Sequence, residues 1–205
     1  MTRIVLATRS HHKLLEIQAI LAVARDVRVV DLESAGLAYD PAEEDLEPYD
    51  TFEANARSKA LHFFHRSGVP TAADDSGLEV DALDGAPGVR TKRFAPAAHL
   101  EGDALDRANL DHLIERLRGV EPSMRSARYV CVAVLATREG TWTFRGEAPG
   151  LILDGRRGSG GFGYDPVFFD PGLGKTFAEI TQAEKNARSH RGKAFRALAE
   201  HLARG

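Results

Sequence analysis

An α/β fold with a partly antiparallel sheet is expected for this chain, on three observations. Apolar runs of strand length at residues 4–8, 27–32 and 127–137 alternate with segments of helical period at 13–24, 51–67 and 105–118. The tripeptide Arg138-Glu139-Gly140 stands between two strand-like runs, which is a hairpin signal. Neither a repeat nor a low-complexity linker interrupts the 205 residues, so one domain over 1–205 is expected.

The elements follow in order. Residues 4–8 form a short buried strand, and Leu14, Ile17 and Leu21 share one face of the helix at 13–24. A second strand occupies 27–32. Residues 33–50 are acidic and irregular, an exposed loop ending at Asp50, which caps the next helix with Glu53 at the third helical position. Phe52, Ala56, Ala60, Phe63 and Phe64 give that helix its apolar stripe, and Gly68 ends it. Short strands at 71–74 and 78–80 flank the turn Asp74-Asp75-Ser76-Gly77, and Gly85-Ala86-Pro87-Gly88 is a second turn. A helix at 105–118 stops at Gly119. The hairpin strands are 127–137 and 141–146, followed by strands at 151–153 and 167–169. Thr181 with Glu184 opens the last helical region, where Phe195, Leu198 and Leu202 keep helical spacing.

Composition narrows the class. With 43% hydrophobic and 28% charged residues the chain can build a core without disulfides. Its one cysteine, Cys131, lies in an apolar run, so it is expected as a small buried hydrophobe in a reducing, cytoplasmic setting. A net charge of −3 does not suggest a nucleic-acid partner, and no apolar run reaches the ~18 residues that span a bilayer.

Four segments carry chemistry. Asp74-Asp75-Ser76-Gly77 places two carboxylates on opposite sides of an extended chain, so one can be buried while the other faces a cleft, where it can hold Mg²⁺ through oxygen and polarise water. Thr8-Arg9-Ser10-His11-His12-Lys13 joins a strand to a helix; hydroxyls, helix-start amides and a lysine together suit phosphate. Gly158-Ser159-Gly160-Gly161-Phe162-Gly163 satisfies G-x-G-x-x-G in letters, but strand-like residues follow where a dinucleotide fingerprint needs a helix. It suits instead a loop through which backbone and a ring approach a flat ligand. Residues 181–193 gather Lys185, His190 and Arg191, with Ser189 to Gly192 interrupting the helix. His62 and His65 have metal-pair spacing but no third ligand, and no nucleophile-elbow motif is present.

These segments, in this order, resemble the inosine triphosphatase family of non-canonical purine nucleoside-triphosphate pyrophosphatases. The likeness rests on Val5-Leu6-Ala7-Thr8 with Lys13, Thr51-Phe52-Glu53-Ala54-Asn55-Ala56 with Lys59-Ala60, and Ala73-Asp74-Asp75-Ser76-Gly77-Leu78. It continues through Gly85-Ala86-Pro87-Gly88-Val89, Gly160-Gly161-Phe162-Gly163-Tyr164-Asp165-Pro166 and Ser189-His190-Arg191-Gly192. The resemblance implies an elongated mixed sheet flanked by helices, in two lobes about a central cleft, and a homodimer. It implies Mg²⁺-dependent hydrolysis of ITP, dITP and XTP to monophosphate and diphosphate, with Mn²⁺ as a substitute metal. Asp75 would be general base and metal ligand, with Glu47 the second ligand and Glu44 the fallback. Lys13, with Thr8, Arg9, Ser10, His11 and His12, would hold phosphate. Ser76, Phe162, Gly163, Tyr164, Asp165, Lys185, His190 and Arg191 would line the nucleoside pocket. One departure stands out: the family's Thr-Gly-Asn loop is here Thr8-Arg9-Ser10, so a long cation replaces a glycine. Rival readings are a pyrophosphatase of modified pyrimidine or 7-methylguanine nucleotides, a nucleotide sensor without turnover, and an RNA-binding module; the acidic balance and lack of an RNP-type motif weigh against the last.

Overall fold

The computed structural model describes residues 2–22, 27–97 and 99–204. Among them the strands make one mixed seven-stranded sheet, ordered β2-β1-β3-β4-β5-β6-β7. The strands are β1 (Thr2–Leu6), β2 (Val27–Asp31), β3 (Thr71–Val80), β4 (Ser126–Thr137), β5 (Gly140–Ile152), β6 (Phe168–Asp170) and β7 (Lys175–Thr176). β1 pairs in parallel with β2, placing Ile4 beside Val29, and in parallel with β3, placing Leu6 beside Ala72. β5–β6 and β6–β7 are antiparallel. The two-residue connection between neighbouring β4 and β5 makes them an antiparallel hairpin, as the turn signal predicts. The helices are α1 (His11–Leu21), α2 (Phe52–Ser67), α3 (Gly102–Arg116), α4 (Gln182–Arg188) and α5 (His190–Leu202).

The contacts divide the chain into two compact units. The first takes Met1–Asp75, Cys131–Gly146 and His190–Gly205; the second takes Ser76–Val130 and Glu147–Ser189. Each has its own apolar core. In the first, Ile17, Ile20 and Leu21 of α1 and Phe195 and Leu198 of α5 bury against Ile4, Leu6, Cys131, Ala133 and Leu135 of the sheet. Phe195 is fully buried, and such a ring contributes roughly 1.5–3 kcal/mol. Gly146 lets α5 sit close: a Cβ there would lie 2.1 Å from the carbonyl oxygen of His190. In the second, Leu110, Leu113 and Leu117 pack with Leu78, Val80, Tyr129, Phe168 and Phe177. No helix among the described residues is long and apolar enough to cross a membrane.

Several elements differ from expectation. Residues 71–80 are one continuous strand rather than two strands about a turn, because the carboxylates in its middle find partners inside the fold. β5 is likewise a single strand of 13 residues. The cap of α2 is Thr51, whose hydroxyl accepts the Ala54 amide at 3.2 Å, and not Asp50. The acidic stretch contains a 3-10 turn at Pro41–Asp45, capped by Asp40 with Glu43. The expected end of α1 at residue 24 lies outside the described residues. Thr181 and Glu184 form the capping box that opens α4, and Ser189 separates α4 from α5.

Candidate functional site

The first unit gathers a charged cluster from four sequence-distant segments. Ser10 caps α1, and this puts Lys13 in its first turn. Lys13 is buried, and its Nζ lies 3.0 Å from Asp74 Oδ2. Arg191, in the first turn of α5, is buried with Glu16 of α1, to which its Nη1 donates, and its Nε lies 3.7 Å from Asp74 Oδ2. Cys131 Sγ lies 3.8 Å from the same oxygen, and burial pushes the thiol pKa upward. Burial alone would raise the pKa of Asp74, yet Lys13, Arg191 and Lys59 together hold it well below the usual carboxylate range.

The next residue behaves oppositely. Asp75, 7% exposed, accepts the Nδ2 of Asn55 at 3.0 Å. Burial raises its pKa, with Glu47 adding to the rise, and Lys59 and Lys13 do not overcome it. Asn55 also brackets residue 49, accepting the Tyr49 amide at 2.9 Å and donating to the Tyr49 carbonyl at 3.0 Å. Lys59 lies one helical turn further along α2. Its Nζ donates to a carboxylate oxygen of Glu47 and, at 2.5 Å, to the Asp74 carbonyl. Burial opposes the Lys59 charge, but Glu47, Asp74 and Asp75 keep its pKa raised. Burial likewise opposes the Glu47 charge, and Lys59 with Lys13 holds that pKa low.

The remaining residues of the first loop have mostly local tasks. Thr8 Oγ1 accepts the Ser10 amide at 3.2 Å, and Ser10 Oγ accepts the Lys13 amide at 3.5 Å. His11 and His12 are exposed, with ring centroids 6.5 Å apart. Arg9 turns away from the cluster, its Nε and Nη2 meeting Glu43 at 3.0 and 2.8 Å. Glu44, the fallback ligand, is exposed and accepts the Tyr39 hydroxyl at 2.6 Å.

In the second unit Asp165 organises the glycine loop. Its Oδ2 accepts the Phe162 amide at 2.9 Å and the Lys185 ammonium at 2.6 Å, while the Tyr129 hydroxyl reaches Oδ1 at 3.3 Å. Lys185 Nζ also stands 4.6 Å from the centroid of the half-buried Phe162 ring. Gly161 has φ +70°, and a Cβ there would fall 2.1 Å from Asp165 Oδ2, so the loop needs glycine at this point. The Gly163 amide donates to Asp106 at 3.1 Å, and Tyr164 is buried with its hydroxyl on the Thr91 carbonyl at 2.7 Å. Ser76 is half-buried in β3 directly after Asp75.

The structure thus brings Lys13, Glu47 and Asp75 into one electrostatic cluster, and Phe162, Asp165 and Lys185 into another. Two arginines of the expected site have partners within the fold. The Arg191 guanidinium is engaged by Glu16 and Asp74, and that of Arg9 by Glu43 and the Leu37 carbonyl. The structure also adds Asn55 and Lys59, whose i,i+4 spacing sets both on one face of α2 and was a usable signal. Asp106 is a further addition, from α3. The donor set would suit a hard divalent ion: Glu47 and Asp75 offer carboxylate oxygens, and such an ion is commonly held by one or two carboxylates, with substrate phosphates and water completing the shell. Among the described residues no group of three or more His, Cys, Asp or Glu forms an all-protein cage.

The chain is similar to known proteins over nearly its whole length. The sequence profile of the Ham1 family matches residues 4–201. The chain is 44% identical over 203 residues to a dITP/XTP pyrophosphatase of Geobacter sulfurreducens, covering 98% of this chain and 97% of that one. A dITP/XTP pyrophosphatase of Streptomyces coelicolor is 42% identical over 207 residues, with 97% and 96% covered. A solved HAM1 protein from Coxiella burnetii is similar with a TM-score of 0.84 and 36% identity over 100% of both chains. With matched segments that include every charged residue of both clusters, the chain belongs to the Ham1 family.

Proposed function

We propose that this protein is a nucleoside-triphosphate pyrophosphohydrolase that hydrolyses ITP, dITP and XTP to the monophosphate and diphosphate, cleansing the nucleotide pool. The observation that carries the reading is the meeting of two lysines, the buried Lys13 and the half-buried Lys59, with two carboxylates, Glu47 and Asp75, of which one has a raised pKa. A triphosphate brings about four negative charges, and binding alone would not call for a base beside the cations.

In this reading Lys13 and Lys59 neutralise the phosphate chain and stabilise charge on the departing diphosphate. The Thr8 and Ser10 hydroxyls and the histidines of α1 complete the phosphate side. Glu47 and Asp75 hold the divalent ion, Mg²⁺ or in its stead Mn²⁺, which adds electrophilic stabilisation of phosphoryl oxygens. Glu47 is favoured over Glu44 because Lys59 and Lys13 act on it, whereas Glu44 pairs with Tyr39. Asp75 accepts the proton of the attacking water as the anhydride between α- and β-phosphorus breaks. Asn55, held at both ends by Tyr49 and Asp75, keeps that carboxylate oriented.

On the nucleoside side, Phe162 offers a ring to stack a purine, and Lys185 is fixed by Asp165 to donate at the base edge. Ser76, Gly163, Tyr164 and His190 complete that side. Hypoxanthine and xanthine present an acceptor at C6 where adenine presents a donor, so a donor-built edge rejects adenine. A homodimer in the cytosol belongs to the same reading. The deciding experiment is a panel of nucleoside triphosphates with Mg²⁺, scored for diphosphate release. ITP, dITP and XTP should turn over far faster than ATP or GTP. Release of orthophosphate in place of diphosphate, or equal rates across the panel, would overturn it.

A further inference from the structure

We propose that Glu43 is a positioning residue that sets Glu47 against Lys13 and Lys59, with Arg9 as its principal partner; this rests on the reading of Glu47 as a metal ligand. The Glu43 side chain is 7% exposed, although the 3-10 turn that bears it contains no buried residue. Apolar packing therefore does not seat this turn. Polar links do. Glu43 Oε1 accepts Arg9 Nη2 at 2.8 Å and the Asp40 amide at 3.2 Å, while Oε2 accepts Arg9 Nε at 3.0 Å. Arg66 Nη1 approaches Oε1 to 3.4 Å. The same two arginines hold the chain just before the turn, Arg9 Nη2 on the Leu37 carbonyl at 3.0 Å and Arg66 Nη2 on the Ala38 carbonyl at 3.3 Å. Their guanidiniums stand 5.9 and 6.0 Å from the Phe63 centroid.

Three site-bearing elements converge on this carboxylate. Arg9 lies four residues before Lys13, Glu43 lies four before Glu47, and Arg66 is on α2, which also carries Asn55 and Lys59. Fixing Arg9, Glu43 and Arg66 together anchors the segments that deliver Lys13, Glu47 and Lys59. An exposed ion pair would contribute little. This one is a fork on a carboxylate nearly withdrawn from water, which adds direction as well as energy. The Glu43 pKa lies below the usual range, burial being outweighed by Arg9 and Arg66. The side chain that replaces the family's loop glycine is thus used as a strut rather than as a phosphate donor.

The test measures Mn²⁺ binding to the full-length protein without nucleotide, by electron paramagnetic resonance, in Glu43→Gln, Arg9→Gln, Arg9→Lys and Glu47→Gln. Groups that orient a metal ligand cost roughly 10–100-fold in affinity when removed. Glu43→Gln and Arg9→Gln should weaken Mn²⁺ by about tenfold, with Arg9→Lys recovering part of the loss. Amide hydrogen exchange over residues 40–47 should quicken in the same two Gln variants. Arg9, being partly exposed, carries the test if Glu43→Gln fails to fold. Weakened Mn²⁺ in Glu47→Gln with unchanged affinity in both Glu43→Gln and Arg9→Gln overturns the strut and leaves the metal reading intact. Unchanged affinity in Glu47→Gln overturns both.

Discussion

Asp74 and Asp75 are consecutive on β3, yet the fold displaces their carboxyl pKa values in opposite directions. The pleat sends them to opposite sides, Asp74 to Lys13 and Arg191 and Asp75 to Asn55. Linkage then fixes two signs. Asp74 binds its proton more weakly folded than unfolded, so it contributes stability above the ordinary carboxyl pKa near 4, lost as pH falls through its depressed value. Asp75 binds its proton more tightly folded, so its ionisation costs stability as pH rises from about 4 through its raised value. Urea denaturation in EDTA at neutral pH should therefore find Asp74→Asn less stable than wild type and Asp75→Asn more stable. Activity should nonetheless fall ~10²-fold or more in Asp75→Asn, because the base is gone. Shifts of the same sign in both variants would contradict this division of labour.

Lys59 is held between Glu47 and the backbone of Asp74, so its removal takes from Glu47 the ammonium with which it is paired. A hydrogen bond to a charged group is worth about 1.5–3 kcal/mol, or one to two decades in kcat/KM. Lys59→Met should lose that much on ITP. Lys59→Arg should restore little, because a planar fork does not replace a compact ammonium at such close quarters. Full activity of either variant would remove Lys59 from the phosphate side.

With oxygen ligands alone at Glu47 and Asp75, the ion should be hard. Activity should vanish on EDTA treatment and return with Mg²⁺ or Mn²⁺. Because Glu47 pairs with Lys59 and Asp75 accepts from Asn55 within the fold, EDTA should leave the circular dichroism spectrum in place. Undiminished diphosphate release in EDTA would end the proposed chemistry.

How far the sequence could carry these conclusions depends on distance along the chain. Local signals were legible: the Thr181–Glu184 capping box, the hairpin about Arg138, and the helix ended by Gly68 all form. Lys13 and Asp75 were legible as candidates because each sits beside a local element that presents it. The continuous β3 was not, since two carboxylates in a strand look like a turn until Lys13, Arg191 and Asn55 arrive to satisfy them. Those partners come from up to 117 residues away, which no periodicity encodes. The same holds for Arg9, whose replacement of a glycine was visible but whose attachment to Glu43, 34 residues on, was not.

Arg191 gives the sharpest contrast, because its donors match a C6 oxygen in sequence while its surroundings do not. Its guanidinium is 2% exposed and is engaged by Glu16, 175 residues earlier, and by Asp74. Leaving those partners would break its buried contacts with two carboxylates, and breaking a buried pair costs about 3–5 kcal/mol. A single hydrogen bond to a base oxygen returns only about 1.5–3 kcal/mol. The comparison favours a structural ion pair that keeps Asp74 charged and so keeps Lys13 in place. Arg191→Met should lower the unfolding free energy by roughly 3–5 kcal/mol, and Arg191→Lys by less. In the folded fraction of Arg191→Lys, kcat/KM should fall for ITP and ATP alike, leaving their ratio as in wild type. A selective loss on ITP would instead show that the guanidinium leaves Glu16 when substrate binds and reads the base after all.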